Sequence, residues 1–262
     1  MFLCYSSREG AAFIDRALYL PEEWTDDPQR LSEAGVPEGV GFATKGERAK
    51  AMLNRAFEAG VPARWVVADT VYGMTRGLRG WLEERERSYV LAVTSSKSVY
   101  YEGHQRQVGK VAQSLSEESW VRASAGKGSK GERLYEWACV ALPESGMYRE
   151  GVHARRWLLM RRSIVEEAEE KVAYYLCYGP AQTTVNELIR IAGRRWVIED
   201  CFEAAKGEVG LDEYEVRKWD GWQRHITLCL LAHAYLAVVR SVAEDEEGVA
   251  KGGISRRIPT PS

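Results

Sequence analysis

Three charged residues, Arg195, Glu199 and Lys206, stand in an otherwise apolar stretch, Thr183 to Lys206, which reads TTVNELIRIAGRRWVIEDCFEAAK. A cation one turn before a carboxylate, with a second cation nearly two turns beyond it, can hold a phosphate beside a metal ion. A second carboxylate, Asp69, ends the run Arg64-Trp-Val-Val-Ala-Asp69 and is followed by a turn. Active-site groups of open α/β sheets gather at the carboxyl ends of strands. Two carboxylates that bind Mg²⁺ for phosphoryl chemistry need only converge in space, and Asp69 and Glu199 are candidates. A capping aspartate beside Thr70 accounts for Asp69 equally well, and an i,i+4 ion pair is the plain alternative for Arg195 with Glu199.

Other chemistry-bearing groups give weaker signals. His225, Cys229 and His233 fall on one helix face, but no acidic or cysteine ligand is nearby in sequence, so packing is the better account. Gly126-Lys127-Gly128-Ser129-Lys130 lacks the spacing of a phosphate-binding loop. Asp15 beside Arg16 reads as a structural ion pair.

The elements that must carry these groups follow from pattern. Thr184 and Glu187 have capping-box spacing, and Gly207 and Gly210 offer a stop, so Thr183 to Lys206 is expected to be one long helix. At about 100° per residue, Val185, Leu188, Ala192, Trp196 and Phe202 share an apolar arc, with the three charges near its middle. Charges so placed cost several kcal/mol unless paired or bound to an ion.

Upstream, Met1 to Ser6 and Ala11 to Leu20 are expected as strands joined at Arg8-Glu9-Gly10. Turn signals fill Trp24 to Gly41. Thr44 and Glu47 form another capping box, opening a helix that Gly60 and Pro62 close. Strands are expected at 64–69 and 89–94, with a surface helix from Gly77 to Arg87 between them. Beyond Ser95 the texture turns β-rich. Ala123 to Gly131 reads as a flexible loop, and Tyr135 to Leu142, Ala154 to Ile164 and Val172 to Tyr178 as strands. Trp222 to Val242 is apolar around most of its circumference, which predicts a buried helix. The tail from Glu244 to Ser262 has a disordered composition. The expected fold class is therefore α/β, divided into 1–95, a β-rich insertion at 96–171, a region at 172–242 carrying the Glu199 helix and the C-terminal buried helix, and a tail at 243–262.

The totals exclude some classes. A chain of 262 residues with net charge −2 is not a wholly basic nucleic-acid coat. Lys97 to Arg162 nevertheless holds twelve Lys/Arg against seven Glu, about +5, a local basic field. Nine tryptophans, several beside arginines, suit stacked bases as well as cores. Five scattered cysteines suggest reduced thiols. No run of about eighteen apolar residues is apparent, because His233 interrupts Leu228 to Val239, and no signal peptide is evident. A cytoplasmic location and no membrane partner are the default.

The run Arg195-Trp196-Val-Ile-Glu199-Asp-Cys-Phe202-Glu-Ala-Ala-Lys206 resembles the Y-R-E-K signature of insertion-sequence transposases of the Asp-Asp-Glu class, in which three and then six residues separate Arg, Glu and Lys. Ala192 stands where the Tyr belongs. LYLPEEWTDD, FATK, WVVADTVYG and GLDEYEVRKWDGWQRHITL resemble one subgroup of these enzymes from about Phe2 to Arg240. The resemblance implies a ribonuclease-H-like core with a β-rich insertion, and two Mg²⁺ (or Mn²⁺) ions that activate water and then a DNA 3′-hydroxyl for attack on phosphodiesters. It assigns Asp69 and Glu199 as catalytic metal ligands, and Arg195, Trp196 and Lys206 as contacts to DNA at transposon ends, with a homodimer on DNA. The family's first catalytic Asp precedes the strand at Phe2, so the resemblance also carries the expectation of an N-terminally truncated, inactive chain. The alternatives are a non-catalytic DNA-end binder or inhibitory partner, and a decayed remnant without a role.

Overall fold

The computed structural model describes residues 1–128, 131–143, 154–165, 171–215 and 217–250, which form two compact units, Met1–Phe42 with Val197–Ser262, and Ala43–Trp196. The architecture is mixed α/β, as expected.

The first unit opens with an antiparallel hairpin, β1 (Phe2–Ser6) and β2 (Ala11–Arg16). The Arg8-Glu9-Gly10 turn forms as expected, closed by Ser7 N donating to the Gly10 carbonyl at 2.8 Å. The second strand stops at Arg16, short of Leu20; Phe2 pairs with Arg16, and Ala17 N bonds the Met1 carbonyl. The stretch expected to be loop holds two short helices, α1 (Glu22–Thr25) and α2 (Pro28–Ala34). Asp27 caps the second, with Pro28 in its first turn and Gly35 in the left-handed conformation at its end, φ 69°. Asp27-Pro28, which reads in sequence as a turn signal, here opens a helix that Gly35 closes.

The second unit begins with α3 (Lys45–Glu58), whose capping box between Thr44 and Glu47 is complete in both directions. Then come β3 (Trp65–Ala68), α4 (Thr70–Gly73), α5 (Arg76–Glu84) and β4 (Ser88–Val93). A small hairpin follows, β5 (Ser98–Tyr101) and β6 (His104–Gln107), and then α6 (Val108–Ser114). Three long strands and their neighbour complete the sheet: β7 (Val121–Gly128), β8 (Gly131–Leu142), β9 (Ala154–Arg162) and β10 (Val172–Pro180). The expected flexible loop at 123–131 is therefore a correction. Up to Gly128 it is strand, with Val121 paired to Trp137 and Gly128 to Gly131, and residues 129–130 lie outside the described ones. Glycine and serine weaken a strand but do not forbid one when a partner edge is available.

Six strands form one sheet in the order β3-β4-β10-β9-β8-β7. β3 and β4 are parallel, and the remaining pairs are antiparallel. The strands of the β-rich segment thus pair directly onto β4 through β10. Both faces are covered, which is why β9 reads Trp-Leu-Leu-Met without alternation and all four are buried. On one face, Val90, Trp137, Leu159, Tyr175 and Cys177 pack with Leu188, Ile189, Ile191 and Ala192 of α7 (Val185–Gly193). On the other, α5 lies against β4, where Glu83 accepts hydrogen bonds from the Tyr89 hydroxyl at 2.6 Å and from Arg156 Nε at 3.0 Å.

The expected single long helix is interrupted. α7 ends at Gly193, Arg194–Trp196 make one 3-10 turn, and α8 (Val197–Val209) begins in the first unit. Thr184 caps α7 by accepting from Glu187 N at 3.2 Å, as its spacing predicted. The break has a physical cause. α7 turns its apolar face to the sheet, whereas Val197, Ile198, Cys201, Phe202 and Ala205 of α8 serve a separate core with Phe2, Phe13, Ile226, Cys229 and Leu230. A 3-10 turn advances 120° per residue rather than 100° and takes up the change of phase.

The last helix, α9 (Trp219–Ala250), corrects three expectations. It is only partly buried, because Ile226, Cys229, Leu230 and His233 face the core while Leu228, Leu231, Tyr235 and Val238 are each more than 60% exposed. It runs through 244–250, which had been assigned to a disordered tail; residues 251–262 lie outside the described ones. Finally, Trp219–Ala243 is long and apolar enough, by length and composition, to cross a membrane, with mean hydropathy 1.8. A single neutral-capable His233 does not break an apolar run as a fixed charge would.

Candidate active site

Asp69 follows β3 at the carboxyl edge of the parallel pair β3–β4, and it is exposed. One carboxylate oxygen accepts from Val71 N at 2.9 Å, so Asp69 is the N-cap of α4. The capping role is real, and it leaves the second oxygen for another partner. α4 lies unusually close to β4. A Cβ on Gly73 would fall 1.8 Å from the Ala92 carbonyl oxygen, so only glycine fits there.

The Gly73 carbonyl in turn accepts from the guanidinium of Arg79, a buried cation at 8% exposure. Burial lowers the Arg79 pKa, an effect that Tyr89 and Glu83 oppose. Lys97, on the turn after β4, is also lowered, first by burial and then by the charges of Arg79 and Arg76. Burial and then the negative charge of Asp69 raise the Tyr72 phenol. The edge thus carries one exposed carboxylate within the electrostatic reach of Tyr72, and three mutually repelling cations. Such a group of cations is stabilised by a bound anion.

Sequence reading missed Arg76, Arg79 and Lys97. The i,i+3 pair in Arg76-Gly-Leu-Arg79, immediately after a strand-end carboxylate, was the available signal.

The sequence motif around Glu199 is divided by the helix break. Arg195 sits in the 3-10 turn, its guanidinium 5.2 Å from the Trp196 ring. Glu199 and Lys206 lie on α8, seven residues apart and therefore on one face. That face is exposed, not core-directed as the helical arc suggested, since Cys201 and Ala205 mark the buried side. Glu199 shares the outward surface with Asp200 and Glu203, and Lys206 lies 3.9 Å from Asp212.

Trp196 is half-buried and packed on the sheet core of the second unit. It stacks parallel to Tyr135 with centroids 6.1 Å apart. Arg161, itself buried, lies over both rings at 4.5 and 5.1 Å, and Arg133 approaches Trp196 at 4.9 Å. With Arg195, three guanidinium groups surround one indole, an arrangement suited to phosphate as well as to packing.

The remaining candidates resolve into structural roles. His225 Nε2 is 3.0 Å from the Gly210 carbonyl, and Cys229 Sγ donates to the Val209 carbonyl at 3.2 Å, tying α9 to the end of α8. His233 is buried against the Phe13 ring, and burial lowers its pKa. Among the described residues no group of three or more His, Cys, Asp or Glu is placed to hold a metal ion. Asp15 accepts from the Arg16 backbone N at 2.8 Å, while the Arg16 guanidinium donates to Thr227.

Comparison with curated proteins gives no match. A family model does match, over residues 1–118, which span the first unit's hairpin, Asp69, Arg76, Arg79 and Lys97. Its description is DDE superfamily endonuclease, and residues 1–118 are similar to that family, which supports a DDE-class, transposase-like protein.

Proposed function

We propose that this protein performs metal-dependent phosphodiester chemistry on DNA in the manner of a cut-and-paste transposase with a ribonuclease-H-like core. The observation that carries the reading is Asp69: an exposed carboxylate at the carboxyl end of a parallel strand, capping the helix whose Gly73 carbonyl accepts from the buried Arg79, inside the stretch that matches the endonuclease family. In this reading Asp69 and Glu199 are the catalytic carboxylates that hold Mg²⁺ or Mn²⁺. The donor chemistry fits, because both are exposed carboxylates and therefore hard oxygen ligands. Mg²⁺ is commonly held by one or two carboxylates, with water and substrate phosphate completing the shell. When bound, it supplies an activated water and neutralises charge at phosphorus.

The chain's own residues do the rest. Arg195 and Lys206 pair with backbone phosphates near the cut ends, and Trp196 braces a base beside them with its surrounding arginines. Arg76 and Lys97 hold the phosphate next to Asp69. The reading is supported by the spacing of Arg195, Glu199 and Lys206 and by the exposed face that Glu199 and Lys206 share.

Mn²⁺ titration followed by water-proton relaxation tests this directly, alongside nicking of labelled duplex DNA. The expected outcome is Mn²⁺ binding that weakens at least about tenfold in Asp69→Asn and in Glu199→Gln. Binding that neither substitution changes, with no nicking by any form, would overturn the assignment. The excess of about five positive charges between Lys97 and Arg162 favours a second reading, a non-catalytic DNA-end binder. It predicts salt-sensitive gel shifts that survive both substitutions without any metal response.

A further inference from the structure

We infer that Cys4 and Cys201 form a redox modification site, two thiols that a peroxide converts into a disulfide fastening the N-terminal hairpin to α8. The inference is independent of the catalytic reading. The two residues lie 197 positions apart in sequence, on β1 and α8 of the first unit, with their sulfurs 3.5 Å apart. A disulfide is about 2.05 Å long, so each sulfur has only about 0.7 Å to travel. The other thiols are engaged elsewhere: Cys229 Sγ donates to the Val209 carbonyl, and Cys139 and Cys177 belong to the sheet of the second unit.

The backbone is built to bring Cys4 to this contact. The register of β1 against β2 shifts between Leu3, which faces Asp15, and Cys4, which faces Phe13. Without the extra residue, Ile14, Cys4 would face Ile14 itself, which is exposed. With it, Cys4 stands opposite Phe13, and both enter the core that holds Cys201 and Ala205. Cys201 is 4% exposed and Cys4 is half-buried, so Cys4 is the sulfur that a small solute reaches. The hairpin is a sheet of two strands, marginal unless packed on something else. A covalent tie at Cys4 therefore alters its attachment more than a tie within a six-stranded sheet would.

The chemistry balances with hydrogen peroxide as oxidant. Cys4 Sγ attacks one peroxide oxygen; an S–O bond forms as the O–O bond breaks, and the thiol proton leaves in the released water, giving a sulfenic acid. Cys201 Sγ then attacks the Cys4 sulfur. The S–S bond forms, the S–O bond breaks, and the hydroxyl departs as a second water with the Cys201 proton. Two electrons pass from the sulfurs to the peroxide, and a dithiol returns them.

The reduced 262-residue chain, exposed to about a tenfold excess of hydrogen peroxide, provides the test. Of its five thiols, two are expected to resist alkylation in denaturant. The intact mass should fall by two hydrogens, and one cross-linked peptide should join Cys4 to Cys201. Closing so long a loop should raise the melting temperature by about 5–15 °C, and dithiothreitol should reverse every change. Cys4→Ser and, separately, Cys201→Ser should abolish the mass loss and the rise, whereas Cys229→Ser should keep both. The wild-type peptide map decides the pairing even where a serine variant folds poorly. Five alkylated thiols after treatment, a disulfide that pairs either residue with Cys229 or with a second chain, or oxidation that stops at a sulfinic acid on Cys4 would overturn the proposal. So would a Cys4–Cys201 link that leaves the melting temperature unchanged or lowers it, because the sulfurs would then meet only in an opened hairpin.

Discussion

Replacing Gly73 with alanine offers a sharp test of how Asp69 is positioned. The new Cβ would stand 1.8 Å from the Ala92 carbonyl oxygen, 2.8 Å from its carbon and 3.3 Å from the Leu91 carbonyl carbon, all backbone atoms of a central strand. An unstrained carbon–oxygen contact needs roughly 3.2 Å, so α4 must retreat by about 1.5 Å. Overpacking of this kind costs about 1–3 kcal/mol. The retreat also pulls the Gly73 carbonyl from the buried Arg79 guanidinium, a loss of a further ~1.5–3 kcal/mol. A total of about 3–5 kcal/mol corresponds to a fall of roughly 6–20 °C in the melting temperature for a unit of this size. Gly80 is the control. It lies inside α5 with no atom within 4 Å of a built Cβ, so Gly80→Ala should gain about 0.5–1 kcal/mol from helix propensity alone. Differential scanning calorimetry of the two variants gives opposite signs if the close approach of α4 to β4 is real. A Gly73→Ala protein that melts with the wild type would refute the packing argument, and so would a Gly80→Ala protein that falls equally far.

Two further outcomes follow from the same unit. Burial pushes the Cys139 thiol up to about 12 from an ordinary value near 9, so the folded state keeps the proton that the unfolded state releases. Its contribution to stability is complete below pH 9 and is lost as the pH rises from 9 towards 12. Urea unfolding at several pH values across that window should therefore show a shallower decline in Cys139→Ala than in the wild type; parallel curves would contradict the burial. The second concerns Arg161, whose guanidinium spans the Tyr135 and Trp196 rings. A double-mutant cycle of Arg161→Met with Trp196→Leu should return a coupling of about 1–2 kcal/mol, and strict additivity would show that the two merely share a surface.

Much of the architecture could be read from local chemistry. The Thr44–Glu47 box, the β-branched run before Asp69 and the strands at Tyr135, Ala154 and Val172 all depend on neighbours close in sequence, and they appear where expected. The failures share a cause. At 123–128 a glycine-rich segment becomes strand because β8 offers it an edge, and at 194–196 a long helix breaks because its two halves serve separate cores. Partner availability has no local signature. Asp69 was legible as a strand-end carboxylate, but the grouping of Lys97 with Arg76 and Arg79 was not, since Lys97 follows β4 and the two arginines precede it on α5.

The two helices near the end of the chain show why circumference alone misleads. For Thr183 to Lys206, a single helical phase placed Arg195, Glu199 and Lys206 on a core-facing arc, and the cost of burying them suggested an ion site. The 3-10 turn at Arg194–Trp196 resets that phase, and Glu199 and Lys206 emerge on the solvent side of α8. The functional argument is altered rather than lost: it rests on a carboxylate and a lysine displayed on one open face at fixed spacing, as a DNA-contacting surface requires. For α9, an apolar character on all sides predicted burial on all sides, yet only one side has a core to enter. What separates the two sides is the presence of a partner: Ile226, Cys229, Leu230 and His233 meet the hairpin core, while Leu228, Leu231, Tyr235 and Val238, at the same helical spacing, stay exposed.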